Sequence, residues 1–92
     1  EIQDGHNKVL VSPHELSHLE SDGNYVKFHT DRGVILERSS LINVESRLPT
    51  NFIRCHKSFI INQRAIEKIT ATSVEVRGHK IPVGRKYKEN LK

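Results

Sequence analysis

Ninety-two residues make one domain with a thin core, and a chain that is 35% hydrophobic and has no Trp leaves little material for an enclosed catalytic cavity beside that core. No apolar run approaches bilayer length and no secretory segment opens the chain, so no membrane role is expected; the single cysteine, Cys55, excludes an intramolecular disulfide and suits a reducing cytoplasm. The net charge of +4 is unevenly spread, with five Lys/Arg against eight Asp/Glu in residues 1–51 and ten against three in residues 52–92, a polarity that fits a polyanion such as nucleic acid or, more plainly, a solvated basic surface.

Residues 1–7 are polar around Asp4-Gly5 and read as the remnant of a linker, with the domain proper spanning 8–92. Lys8 to Val11 reads as a short strand stopped by Pro13, and Leu16 to Glu20 as a second. Ser21-Asp22-Gly23-Asn24 is a turn, because Gly and Asn tolerate the positive φ of tight hairpins. Tyr25 to Thr30 alternates, with Val26 and Phe28 on one face and Tyr25, Lys27 and His29 on the other. Asp31-Arg32-Gly33 reverses the chain, and Val34 to Arg38 returns as the hairpin partner.

Ser39-Ser40 offers cap oxygens, Leu41, Val44 and Leu48 follow at helical spacing, and Pro49 blocks continuation, which predicts one short helix over 40–48. Phe52 to His56, Phe59 to Ile61, Ile66 to Thr70, Ser73 to Arg77 and Lys80 to Val83 all read as short strands, with Gly78 as a turn. Arg85 to Lys92 predicts a helical turn carrying Tyr87 and Leu91. The sum is a mainly β fold of small antiparallel sheets with one or two short helices. Strands this short and close together leave no room for parallel crossovers.

One motif invites an enzymatic reading. His14-Glu15-Leu16-Ser17-His18 matches the zinc-hydrolase pattern H-E-x-x-H. That chemistry needs a helix, which stacks the two imidazoles on one face. In a strand, residues four apart are separated by roughly 13 Å, too far to share one ion at about 2.1 Å from each nitrogen. A helix capped by Ser12 and begun by Pro13 is the arrangement that would rescue the motif. No metal, no cofactor and no enzymatic activity are expected. Cys55 and His56 are neighbours that an extended strand turns to opposite faces, which is wrong for a nucleophile and its base.

The stretch from Phe52 to Asn62 carries more chemistry. It holds Arg54, His56, Lys57 and Ser58 between apolar anchors. In an extended strand Arg54, His56 and Ser58 share one face; a bend after His56 would lift Lys57 and Ser58 onto a loop, where side chains reach a base edge. The plain alternative is a charged edge strand that blocks aggregation.

The order of blocks adds weight. Leu19 to Val26, Arg38 to Leu41, Phe52 to Asn62 and Gly78 to Tyr87 follow one another, and the series resembles the LytTR DNA-binding domain over about residues 8–92. That family shows a Gly-Asn-Tyr hairpin, a short helix ending in Leu, an F-x-R-x-H-x-S-F-x-V-N block and a terminal I-P-V-S-R block. The resemblance implies a β-rich fold that binds duplex DNA through loops entering successive major grooves, usually at paired direct repeats. It also implies a receiver domain in the same full-length chain and a histidine kinase upstream, as in a two-component transcriptional regulator.

Carried over by position, the resemblance makes Asn24, Lys57 and Lys86 the base-reading candidates. Ser21, Arg54, His56, Ser58 and Arg85 become candidates for phosphate contact or for bracing the loops, and Asn62 a brace of the fold. Two departures stand out: Gly84 where the family usually has Ser, and Asp22 in a loop expected near phosphate. Two other readings stay open, a non-specific or RNA-binding β module and a protein-interaction module. The first is disfavoured because only Tyr25, Phe28, Phe52, Phe59 and Tyr87 are available and several of them must serve the core, leaving few rings for base stacking.

Overall fold

The computed structural model describes residues 2–91. Among them, ten strands run in order β1 (Ile2–Asp4), β2 (Asn7–Val9), β3 (Leu16–Asp22), β4 (Tyr25–Thr30), β5 (Gly33–Arg38), β6 (Phe52–His56), β7 (Phe59–Asn62), β8 (Ile66–Ile69), β9 (Ser73–Val76) and β10 (His79–Pro82). One α-helix, α1 (Leu41–Glu45), lies between β5 and β6, and a 3-10 segment, Arg85–Leu91, follows β10. All pairings are antiparallel: a five-stranded sheet in order β5-β4-β3-β7-β6, a three-stranded sheet β10-β9-β8, and the hairpin β1-β2. The mainly β architecture expected from the sequence is the one observed.

The five-stranded sheet is buried on both faces where it matters. On one face Leu19, Val26, Phe28 and Ile60 pack with Leu41 and Val44 of α1 and with Ile2, Leu16 and Phe52. On the other, Cys55 and Ile61 pack with Ala65, Val74, Val76 and Ile81, most of them from the three-stranded sheet. Successive residues of a strand point to opposite faces, so Ile60 and Ile61 enter different cores. That is why Phe59-Ile60-Ile61 reads as an unbroken apolar run rather than an alternating one.

Local chemistry sets the element ends. The β3–β4 hairpin closes between Asp22 and Tyr25, so its loop is Gly23-Asn24 alone, and Gly23 takes the positive φ of 60°. The strand therefore runs two residues further than the four-residue turn expected. Ser40 caps α1 by accepting from the Asn43 amide at 3.3 Å. The helix is shorter than 40–48 because the Arg47 and Leu48 amides bond three residues back, to Val44 and Glu45, in tightened turns before Pro49.

Residues 2–7 include the β1–β2 hairpin, which packs against the rest of the fold. Ile2 is 3% exposed within the first core, and Gln3 donates its amide to the Glu37 carboxylate at 2.7 Å. Glu37 is itself buried and also accepts from Arg47. Gly5-His6 is the loop of the β1–β2 hairpin, with Gly5 at φ 63°. One buried isoleucine and one bond to a buried carboxylate are tertiary features, which a polar heptapeptide does not announce. Glu1 and Lys92, the outer ends of the two expected spans, lie outside the described residues.

The H-E-x-x-H stretch folds as a 3-10 turn, Pro13–Glu15, running into β3. Ser12 and Pro13 do start a helical turn, but Leu16 is already extended, so the helical face that would stack His14 on His18 does not form. Glu15 instead accepts from the Ser12 amide at 3.2 Å and pairs with Arg32 at 2.9 Å. The Ser12 bond and the Arg32 charge hold its carboxyl below the usual carboxylate range.

Candidate DNA interface

Strand direction decides where the loops fall. β3 and β6 each run antiparallel to β7, so they point the same way. The turn after β3 and the turn after β6 therefore leave the sheet at one edge. A backbone bond joins them, from the Ser21 amide to the Ser58 carbonyl at 2.9 Å. A second backbone bond, from the Gly84 amide to the Cys55 carbonyl at 2.8 Å, brings in the segment after β10. A shallow groove lined by His56, Lys57, Gly84, Arg85, Lys86 and Tyr87 marks where the second and third loops meet. Three segments far apart in sequence thus share one edge.

The second loop is braced from within. Arg54 is held between β6 and the turn: its Nε donates to the His56 carbonyl at 3.1 Å and its Nη2 to the Lys57 carbonyl at 2.7 Å. Its Nη1 lies 3.4 Å from Glu45 of α1. The His56 Nδ1 accepts the Ser58 amide at 3.0 Å. Arg54 and His56 therefore each bond to the loop backbone, while Lys57 at its tip is exposed. Ser58 is half-buried and contributes its carbonyl to the Ser21 tie.

Among the other site residues expected from the sequence, Asn24 is exposed at the β3–β4 turn, and its carbonyl accepts the Ser39 amide at 3.1 Å. Ser21 is half-buried at the base of that turn. Arg85 and Lys86 are exposed at the start of the 3-10 segment. The Asp22 charge is turned along the strand to Lys27, at 3.4 Å. At Gly84 a Cβ would stand 3.0 Å from the Tyr87 ring, so a serine there would press on Tyr87. Asn62 is a brace: it donates to the Leu16 carbonyl at 2.8 Å and accepts from Asn51 at 2.8 Å and from the Arg64 amide at 3.0 Å.

Two participants were not singled out from the sequence. Arg38 stands opposite Tyr25 in the β4–β5 register, exposed and next to the Asn24 turn. The Arg38-Ser39-Ser40-Leu41 block was the available signal. Asn90 donates to the Arg54 carbonyl at 2.8 Å and pins the C-terminal segment to β6; nothing in its local sequence marks it. The aromatic side chains do not form a stacking platform. Phe28 and Phe52 are in the core, Phe59 and Tyr87 are half-buried, and Tyr25 is 44% exposed.

An all-antiparallel β scaffold with exposed Lys57, Arg85 and Lys86 along one edge suits a polyanion such as nucleic acid. A sequence profile of the LytTr DNA-binding domain matches residues 6–92. The sensory transduction proteins LytT of Enterococcus faecalis and Bacillus subtilis are each 30% identical, over 99% and 96% of this chain. The chain spans about 40% of the length of these curated relatives. The solved LytTr DNA-binding domain of a protein described as a methyl-accepting/DNA response regulator from Bacillus cereus superposes with a TM-score of 0.83 at 25% identity, covering 98% of this chain and 89% of that one. The chain belongs to the LytTr DNA-binding domain family, a family of DNA-binding domains that serve transcription regulation and not a family of enzymes. Among the described residues, no helix is long and apolar enough to cross a membrane.

Proposed function

We propose that this domain reads duplex DNA in a sequence-specific way, through three loops that enter the major groove from one side. Asn24, Lys57 and Lys86 read bases. Arg85, Arg38 and Ser21 meet phosphates and fix the register, contacts that carry no sequence information of their own. Arg54, His56 and Ser58 hold the second loop in shape. The observation that supports this reading is the pair of backbone ties, Ser21 to Ser58 and Gly84 to Cys55, which gather the three loops on one edge. Lys57 and Lys86 are exposed there, and a lysine aimed at guanine O6 and N7 distinguishes it from other bases. The relatives being longer, we further propose a receiver domain in the same full-length chain, phosphorylated by a histidine kinase, and binding to paired direct repeats.

Selection of bound fragments from random duplexes supplies the cognate site, and variants then test the roles. Lys86→Ala should weaken cognate binding by about 1–3 kcal/mol and flatten preference at one base position. Arg54→Ala should weaken all sequences alike, through a loosened loop. Wild-type binding should fall steeply with salt, as several phosphate contacts require. A Lys86→Ala variant that keeps the wild-type ratio of cognate to scrambled affinity would remove the base-reading role.

A further inference from the structure

Away from the loops, three histidines from three strands meet where the two sheets join. The rings of His18 (β3) and His29 (β4) stack with centroids 4.0 Å apart and planes within 12°. The ring of His79, the first residue of β10, lies 4.9 Å from His18 and 5.7 Å from His29, tilted by 56° and 59°. His18 is 2% exposed and shares a hydrogen bond with the Ser17 hydroxyl through Nδ1 at 2.8 Å. Phe59 of β7 closes the remaining side at 6.3 Å. The His29 Nε2 is 3.4 Å from Glu20 of β3.

We infer that His18, His29 and His79 form an acid-sensitive joint between the two sheets, which on taking up protons loosens β10 and the third loop that follows it.

The joint is held by contacts between neutral rings. A proton on one ring leaves its charge against two other imidazoles at van der Waals range, and a second proton sets like charges against each other with little water between. The charged side chains acting on His29 are Glu20 of β3, which favours a proton on it, and Lys27 of β4, which opposes one and is itself paired with Asp22. Burial, helped by the neighbouring His29 and His79, pushes His18 down to about 3; burial also lowers His29, against the pull of Glu20. The native contacts therefore favour unprotonated His18 and His29, and acid favours an arrangement in which the rings separate.

His79 is the exposed member and the one carried by the smaller sheet. Separation therefore moves the start of β10. That strand ends at Pro82, two residues before the Gly84 tie, which is followed by the exposed Arg85 and Lys86. The effect on DNA rests on the three-loop reading above; the loosening of β10 does not.

The test measures two quantities on the folded domain at about pH 7.5 and about pH 5.5, a range that brackets ordinary histidine titration. One is the hydrogen-exchange protection of the β10 amides, corrected for intrinsic exchange rates. The other is affinity for the selected duplex. Wild type should lose β10 protection, and affinity should fall at least about threefold, whereas a surface that merely gains histidine charge should bind a polyanion more tightly in acid. His79→Gln, which keeps a polar side chain at an exposed position, should flatten both responses; His29→Gln is the second variant with the same expectation. Unchanged β10 protection between the two pH values would overturn the joint. Lost protection with unchanged affinity would leave the joint standing and overturn the role of the third loop in binding.

Discussion

Asn62 is 1% exposed and fills three of its four hydrogen-bonding positions, with Leu16, Asn51 and Arg64. A buried amide used in this way is costly to replace by a hydrocarbon of similar size, because the buried Leu16 carbonyl loses its donor. Asn62→Leu should destabilise the domain by about 1–3 kcal/mol, measured as a lower urea midpoint with an unchanged slope; an unchanged midpoint would remove the bracing role. Cys55 lies in the second core, where burial pushes its thiol up to about 12. Thiolate is the reactive form, so alkylating reagents near neutral pH should label Cys55 only as fast as the domain opens, and in denaturant at once. Rapid labelling of the native protein would contradict that burial.

At the scale of elements, α1 is five residues long and still closes the first core through Leu41 and Val44. A helix that short owes little to propensity and much to its cap and its packing. Ser40→Ala should therefore cost about 0.5–2 kcal/mol, read by thermal unfolding, and a neutral result would mean that packing alone holds the turn. The elements most legible in the sequence are those whose pattern is local. Val26 and Phe28 alternate with Tyr25 and Lys27, Val74 and Val76 flank Glu75, and Ser40 precedes an apolar pair at helical spacing. β1 was illegible because its one apolar residue, Ile2, is buried by other elements and belongs to no local pattern. The candidate site was legible only as separate blocks: Lys57 and Lys86 could be picked out by the resemblance of their blocks to the family, but no local signal encodes the Ser21–Ser58 and Gly84–Cys55 ties. The H-E-x-x-H stretch shows the same limit from the other side, since a residue pattern without its helix leaves only a capped turn and a strand.

Across the whole molecule, the response to pH has a fixed sign. Folding lowers the pKa of His18 and of His29, so between their unfolded value of about 6.5 and their folded values the unfolded chain binds more protons than the native one. Stability is then complete above about pH 6.5 and declines as pH falls, by up to about 1.4 kcal/mol per pH unit for each such proton. For His18 the decline ends only near its folded value of about 3. Urea midpoints should drop between neutral and mildly acidic buffer, and His18→Phe, which keeps a ring in the stack, should show a shallower dependence. A midpoint that holds or rises toward acid would contradict the neutral burial of these rings.

The two bonds that moor the loops to one another are made by main-chain atoms at Ser21, Ser58, Gly84 and Cys55. Exchanging a side chain at a tip such as Asn24, Lys57 or Lys86 leaves those moorings intact. If these tips read bases as proposed, a lineage of such domains is free to change its preferred letters one at a time while the pose on the double helix stays put. Novelty in target choice then requires point substitutions and no remodelling of the frame.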